Sequence, residues 1–154
     1  MSKTITELSE KMRDIDFAML FTQNDDHQIS GRPMSNNGNV DYDGDSYYFA
    51  FDSARSIDHI SKNPNVSLSY QGKAGLLGKP PIFISVTGMA QLIRDKAQFE
   101  QHWSKGLEHW FKDGVDTSGL ILIKVEARRI HYWDGYEDGD IALAQTPEVQ
   151  ENEV

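Results

Sequence analysis

The stretch from Asp45 to Gln71 constrains this chain more than any other, because its hydrophobic periodicity changes twice within a short span. Asp45-Ser46-Tyr47-Tyr48-Phe49-Ala50-Phe51 is rich in aromatics and bounded by turn formers, which is the composition of a β-strand. After Asp52-Ser53-Ala54-Arg55-Ser56, Ile57 and Ile60 recur at helical spacing until Asn63-Pro64 stops the run, which predicts a short helix starting near Ser53. Residues 65–71 then alternate, with Val66, Leu68 and Tyr70 on one side, and read as a half-buried strand. This order puts the start of a helix at the end of an aromatic strand. The first turn of a helix leaves backbone N–H groups unpaired and carries a positive partial charge. Here the hydroxyls of Ser53 and Ser56 and the guanidinium of Arg55 fall within that turn, a donor set that a phosphate satisfies. Against this stands the plainer reading, in which Ser53 caps the helix and Arg55 is simply solvated. Arg32 lies on the preceding strand with Pro33 directly after it, so that strand is expected to be an edge or to bend, and a second cation reaches the same pocket.

The flanking sequence supplies more strands than helices. Thr4 with Glu7 has the spacing of a capping box, and Ile5, Leu8 and Met12 share one face of the helix it opens. Residues 16–22 read as a mostly buried strand that forms a hairpin with the Arg32 strand through the turn-rich residues 23–27. Residues 36–44 are a polar surface link. Residues 72–81 contain glycines and lysines that superficially resemble a phosphate loop, but Pro80-Pro81 and a strand follow where such a loop needs Gly-Lys-Ser/Thr opening a helix. A hairpin loop is the better reading. Gly88 interrupts the long strand at 82–93 and predicts a bulge or bend of the kind that curves a small barrel. Phe99, Trp103, Leu107 and Trp110 form a helical stripe within residues 95–110. Two further strands are expected at 120–126 and 129–133, meeting at Ala127-Arg128. The sum is one domain over residues 1–143, mainly β, a small antiparallel barrel of six to seven strands with about three helices. Residues 144–154 are expected to be a disordered acidic tail.

Composition removes several classes of function. With 154 residues and 38% hydrophobic content there is material for one core. A formal charge of -9 argues against a nucleic-acid groove. The chain has no cysteine, so disulfides, thiolate catalysis and cysteine-ligated metals are excluded, and a reducing cytoplasm is the expected location. No apolar run approaches membrane-spanning length, and the amino terminus lacks the apolar core of a signal peptide. The five histidines include no His-Glu-x-x-His or similar cluster, so no metal site is expected. His102 and His109 are the one pair on a common helix face. No Gly-x-Ser-x-Gly elbow is present.

An ordered series of short motifs carries a resemblance. Phe17-Ala18-Met19-Leu20, Gly31-Arg32-Pro33-Met34, Tyr48-Phe49-Ala50-Phe51-Asp52-Ser53, Asn63-Pro64-Asn65-Val66-Ser67-Leu68, Ser85-Val86-Thr87-Gly88-Met89-Ala90, Trp110-Phe111-Lys112-Asp113-Gly114 and Tyr132-Trp133-Asp134-Gly135 succeed one another at family spacing. In these the chain resembles the pyridoxamine 5′-phosphate oxidase-like FMN-binding split barrels, in their general stress protein branch. The resemblance implies a homodimer with FMN at the subunit interface. It puts the phosphate on Arg32, Ser53, Arg55 and Ser56, and brings Pro33, Met34, Phe49, Ala50 and Phe51 to the isoalloxazine. Trp133 closes the pocket, and Trp110 and Phe111 come from the partner subunit.

The departures from that pattern are specific. Ser56 stands where members commonly carry a lysine, which removes one cation that Arg55 can replace. Val115-Asp116-Thr117 replaces the Asp-Asp-Pro run usual after the Trp-Phe motif. The carboxy-terminal Arg-x-His motif of true pyridoxamine phosphate oxidases is absent, since Tyr136-Glu137-Asp138-Gly139 follows Gly135, so vitamin B6 oxidation is not expected. The implied activity is an FMN oxidoreductase passing electrons between a nicotinamide or other donor and a small molecule, with binding and orientation supplied by the protein. The alternative is a flavin-binding dimer that senses stress with little turnover.

Overall fold

The structure is a computed structural model that describes residues 3–37 and 40–143. The expectation for the tail at 144–154 lies outside the described residues. Helix α1 (Ile5–Met12) starts where the Thr4 hydroxyl accepts the Glu7 N–H at 3.2 Å, and it buries Leu8 and Met12. Strands β1 (Phe17–Gln23) and β2 (Ile29–Ser35) form the expected hairpin. They are followed by β3 (Asp45–Phe51), α2 (Arg55–Lys62), β4 (Asn65–Gln71), β5 (Phe83–Ile93), α3 (Lys96–His102), β6 (Leu120–Asp134) and β7 (Glu137–Ala142). No helix among the described residues is long and apolar enough to cross a membrane.

All strand pairs are antiparallel, in the order β2-β1-β4-β5-β6-β3 with β7 paired to β6. The sheet curls on itself as a half-barrel whose two end strands are β2 and β3. Pro33 therefore sits on an edge strand, where its missing N–H costs no ladder bond. Alternate residues point inward. Leu20, Leu68, Tyr70, Ile84, Val86, Ile121, Ile123, Ile130 and Tyr132 are each 1% exposed or less. At the centre the phenols of Tyr48 and Tyr70 share a hydrogen bond of 2.7 Å, and burial pushes both phenols up, so the pair stays neutral.

A second, smaller cluster covers the outer side of β3 and of the first half of β6. It joins Phe49, Leu120 and Leu122 to Phe99 of α3 and to Phe111, with Trp103 and Leu107 packed against it. Among the described residues, the rest of the outer face, built from β1, β4, β5 and the second half of β6, has no such cover. Its rows read Met19, Ser69, Ser85, His131 and Phe21, Ser67, Thr87, Arg129, a centre of small polar side chains. Aromatics border it, with Phe17, Phe83 and Trp133 at one end exposed by 53%, 40% and 43%.

Four expectations are corrected. The strands expected at 120–126 and 129–133 are one strand, β6. Thr87 pairs with Arg129 and Gly88 with Ala127, so Arg128 is an extra residue that bends β6 without ending it. Gly88 does mark the irregularity, but the bulge is on its partner, and a Cβ at Gly88 would lie 2.2 Å from the Glu126 carbonyl oxygen. The helix expected at 95–110 ends at His102, and residues 105–109 form a separate 3-10 turn. Phe99, Trp103 and Leu107 keep a common face only because all three pack on one cluster. Helix α2 begins at Arg55, two residues after Ser53: its cap is Ala54 and not Ser53, and no side chain caps it. A turn uses the intervening residues, with the Asp52 N–H on the Gly119 carbonyl and the Ala54 N–H on the Phe51 carbonyl. Finally, the acidic stretch after Tyr136 forms β7, which gives the second half of β6 a neighbour.

Candidate functional site

Where a barrel is left open, its two edge strands face one another across a seam. Here that seam is a groove of about 250 Å³. Pro33, Met34 and Ser35 of β2 form one wall and Phe49 and Phe51 of β3 the other. Phe17 stands at one end, and Leu107, Trp110 and Phe111 come over from the segment after α3. The groove exists because Phe49 and Phe51 alternate with inward-facing Tyr48 and Ala50, which leaves their rings on the outer side of the edge strand. Phe111 then packs against Phe51 at 5.0 Å and Trp103 at 6.1 Å between centroids, fixing the third wall. Trp110 is 62% exposed beside buried Phe111 and presents a free indole. The cavity falls just below the ~300–1,000 Å³ of most small-molecule pockets and is open on one side.

Six residues expected at a cofactor site thus meet in one place: Pro33, Met34, Phe49, Phe51, Trp110 and Phe111. Trp110 and Phe111 line the groove of their own chain. Ala50 turns inward and packs against the main core. Arg32 is not a groove wall. Its Nη1 donates to the Leu20 carbonyl at 3.1 Å and to Thr22 Oγ1 at 2.8 Å, and its Nη2 donates to Ser30 Oγ at 3.0 Å. Partial burial pulls this guanidinium below its usual value, and among the described residues three of its five N–H donors have acceptors. The Thr22 hydroxyl is also 2.8 Å from His59 Nδ1, so β1 links Arg32 to α2.

The uncapped start of α2 comes directly after the Phe51 wall. Ser53 and Arg55 are exposed there, whereas Ser56 is 4% exposed and faces the interior. Trp133 lies elsewhere. It stacks on His131, centroids 4.3 Å apart, at the far side of the outer face, and pairs with Phe83 of β5. It is not a wall of the groove, and β5, β4 and β1 stand between its strand and β2 in the sheet order.

Phe17, Ser35 and Leu107 are walls that the sequence did not single out as site residues. Phe17 was legible: it precedes the inward pair Ala18 and Leu20 in a two-residue period, so its ring had to face outward. Leu107 was not, because its place depends on the break after His102. Among the described residues no three His, Asp or Glu side chains gather as a metal site. His102 stacks on Tyr47, and the end of α3 separates it from His109.

A family model described as pyridoxamine 5′-phosphate oxidase like matches residues 3–146. No curated protein matches the chain. Among solved structures, a Clostridium acetobutylicum protein related to general stress protein 26 is similar at 17% identity, over 90% of this chain and 94% of that one, with a TM-score of 0.74. General stress protein 26 from Bacillus anthracis is similar at 21% identity, over 90% and 96%, with a TM-score of 0.70. A heme-binding protein from Mycobacterium smegmatis is similar at 11% identity, over 92% of this chain and 59% of that one, with a TM-score of 0.74. At these identities the likeness is one of fold.

Proposed function

The chain belongs to the pyridoxamine 5′-phosphate oxidase-like family, and on that premise we propose that it binds FMN in the seam groove and acts as a flavin oxidoreductase on a small molecule. The observation that carries this reading is the convergence of Pro33, Met34, Phe49, Phe51, Trp110 and Phe111 on one groove. Flat apolar walls suit a fused ring, and the uncapped helix start with exposed Arg55, just beyond Phe51, suits the phosphate at its far end. The walls offer no imidazole, thiolate or phenolate to an iron, which favours a flavin over a heme.

FMN supplies the hydride and electron chemistry when bound. The residues of this chain bind and orient it: Trp110 and Phe51 offer ring faces, and Arg55 and the first N–H groups of α2 offer charge and donors. Ser35 is the one hydroxyl among the walls, so the groove brings no evident general acid or base. That same feature supports the second reading, a flavin-binding stress sensor with little turnover. The lack of cysteine fits a cytoplasmic setting.

The protein acts as a homodimer in this proposal. Phe17 both lines the groove and stands in the exposed row of the uncovered outer face, so a second copy packed on that face adjoins the groove. Purification tests the proposal directly. A yellow chromophore released on denaturation, or uptake of added FMN by colourless protein, is expected; a protein that shows neither overturns it. Anaerobic mixing with NADH or NADPH separates the two readings, since only an oxidoreductase bleaches its flavin.

A further inference from the structure

A cavity of about 260 Å³, close to the seam groove in size, lies between the end of α1 and the loop that joins β4 to β5. No residue lines both. One wall is Lys11, in the last turn of α1, with Asp14 and Ile15 after it. The other is the loop, which contributes Lys73 and Lys79. Its base is apolar, since Ile15 is 5% exposed and Ile82 9%, and Pro80 and Pro81 extend that surface. The loop is a built structure and not a slack connection. The Gly72 N–H bonds to the Ile82 carbonyl and the Gly75 N–H to the Lys79 carbonyl, each at 2.9 Å. Pro80 and Pro81 fix two further φ angles, so little freedom is left to lose when a ligand arrives. With both glycine N–H groups engaged inside the loop, an anion here meets ammonium groups and not the backbone cradle of a phosphate loop.

Charge decides what this space can hold. In a chain whose formal charge is -9, three ammonium groups line one cavity against two carboxylates. One of those carboxylates, Asp134, is already held by Lys3 at 3.3 Å, and Lys79 stands 4.0 Å from it. Among the described residues Lys11 and Lys73 make no ion pair. Two ammonium groups from different elements thus point their charge at one space with no internal counter-ion, above a base that suits an apolar body.

We propose that this cavity is a ligand site separate from the seam groove and that it takes a small organic phosphate, with the phosphoryl group among Lys11, Lys73 and Lys79 and the apolar part against Ile15 and Ile82. A phosphate monoester carries about −1.5 to −2 charges near pH 7 at one end of the molecule, which matches converging ammonium groups better than a single carboxylate does. Neither FMN nor a second copy of the chain is needed for it.

Titration of nitrogen-15-labelled protein with phenyl phosphate, at an ionic strength held constant with sodium chloride, tests this by NMR. The amide signals of Gly72, Gly75 and Asp134 should move together and saturate, with a Kd of about 1 mM or tighter. Lys73→Gln combined with Lys79→Gln should raise that Kd about tenfold or more, and Lys11→Gln alone about threefold or more. All three side chains are exposed, so the fold is kept, and unchanged β5 signals in the free variants verify it. Inorganic phosphate, which lacks the ring, and benzoate, which carries one charge, should each move the same amides at higher concentration. Amides that stay still, shifts that grow without saturating, or a Kd unchanged in the lysine variants overturn the site. Benzoate binding as tightly as phenyl phosphate overturns the choice of a phosphate. Shifts confined to Ser53, Arg55 and Ser56 send the anion to the start of α2, which overturns the site and leaves the flavin reading standing.

Discussion

The imidazole of His102 lies flat on the phenol ring of Tyr47, with centroids 3.6 Å apart and planes 14° from parallel. Burial chiefly, and the Lys124 ammonium in second place, hold this imidazole below its ordinary value of 6.5. The folded chain therefore takes up the proton less readily than the unfolded one. Stability is full above the unfolded value and is lost as pH falls from it toward the lowered folded value. The urea midpoint should drop as pH falls below the ordinary value of 6.5, and drop less in His102→Phe, which keeps a stacking ring without the titration. Parallel midpoint curves for the two proteins would refute this.

Gly88→Ala should cost about 3 kcal/mol or more, because the new Cβ meets backbone at Glu126 and cannot be relieved by a rotamer change. Gly106→Ala is the control. Nothing lies within 4 Å of its Cβ position, so a change within about 0.5 kcal/mol is expected. Equal unfolding midpoints for the two variants would contradict the close approach at the bulge.

Trp110 and Phe111 are neighbours with opposite roles. Phe111 is 6% exposed in the smaller cluster, so Phe111→Ala should destabilise by about 3–5 kcal/mol. Trp110→Ala should leave the midpoint within about 0.5 kcal/mol yet raise the Kd for FMN about tenfold or more. Fluorescence titration with FMN checks the second half, and unchanged affinity would remove the indole from the site.

Arg55→Glu places a carboxylate where the proposed phosphate docks. The Kd for FMN should rise at least about tenfold, with the urea midpoint little moved, since the residue is exposed. Riboflavin, which has no phosphate, should bind the variant and the parent alike. An equal loss for both flavins would point to a disturbed groove and away from a phosphate contact.

Much of this fold can be read from alternation alone. Asn65 to Gln71 is a strand in the sequence and in the structure, because Val66, Leu68 and Tyr70 have to share one side. The two halves of β6 read as separate strands for a physical reason: the extra Arg128 shifts the phase of the alternation, which a period-two pattern cannot distinguish from an end. β7 escapes because Glu137, Asp138 and Asp140 are poor strand formers; its pairing is decided by the free edge of β6 and by the turn at Gly135, with φ of 64°. At the groove, residue type marked the aromatic walls well. The inward turn of Ser56 and the three internal acceptors of Arg32 were invisible, because the first depends on where α2 lies against β1 and the second on the register of β1 against β2.

The sheet order has a consequence for how the chain is made. Among the described residues, β3 has a single strand neighbour, β6. On the ribosome its aromatic ladder emerges roughly 70 residues ahead of that neighbour, an interval of several seconds at about 5–20 residues per second. Throughout that time Tyr48 and Phe49 are without the strand that later flanks them, and the nascent chain carries an unpaired, ring-rich edge open to aggregation. The last third of the polypeptide is thus what makes the first two thirds safe.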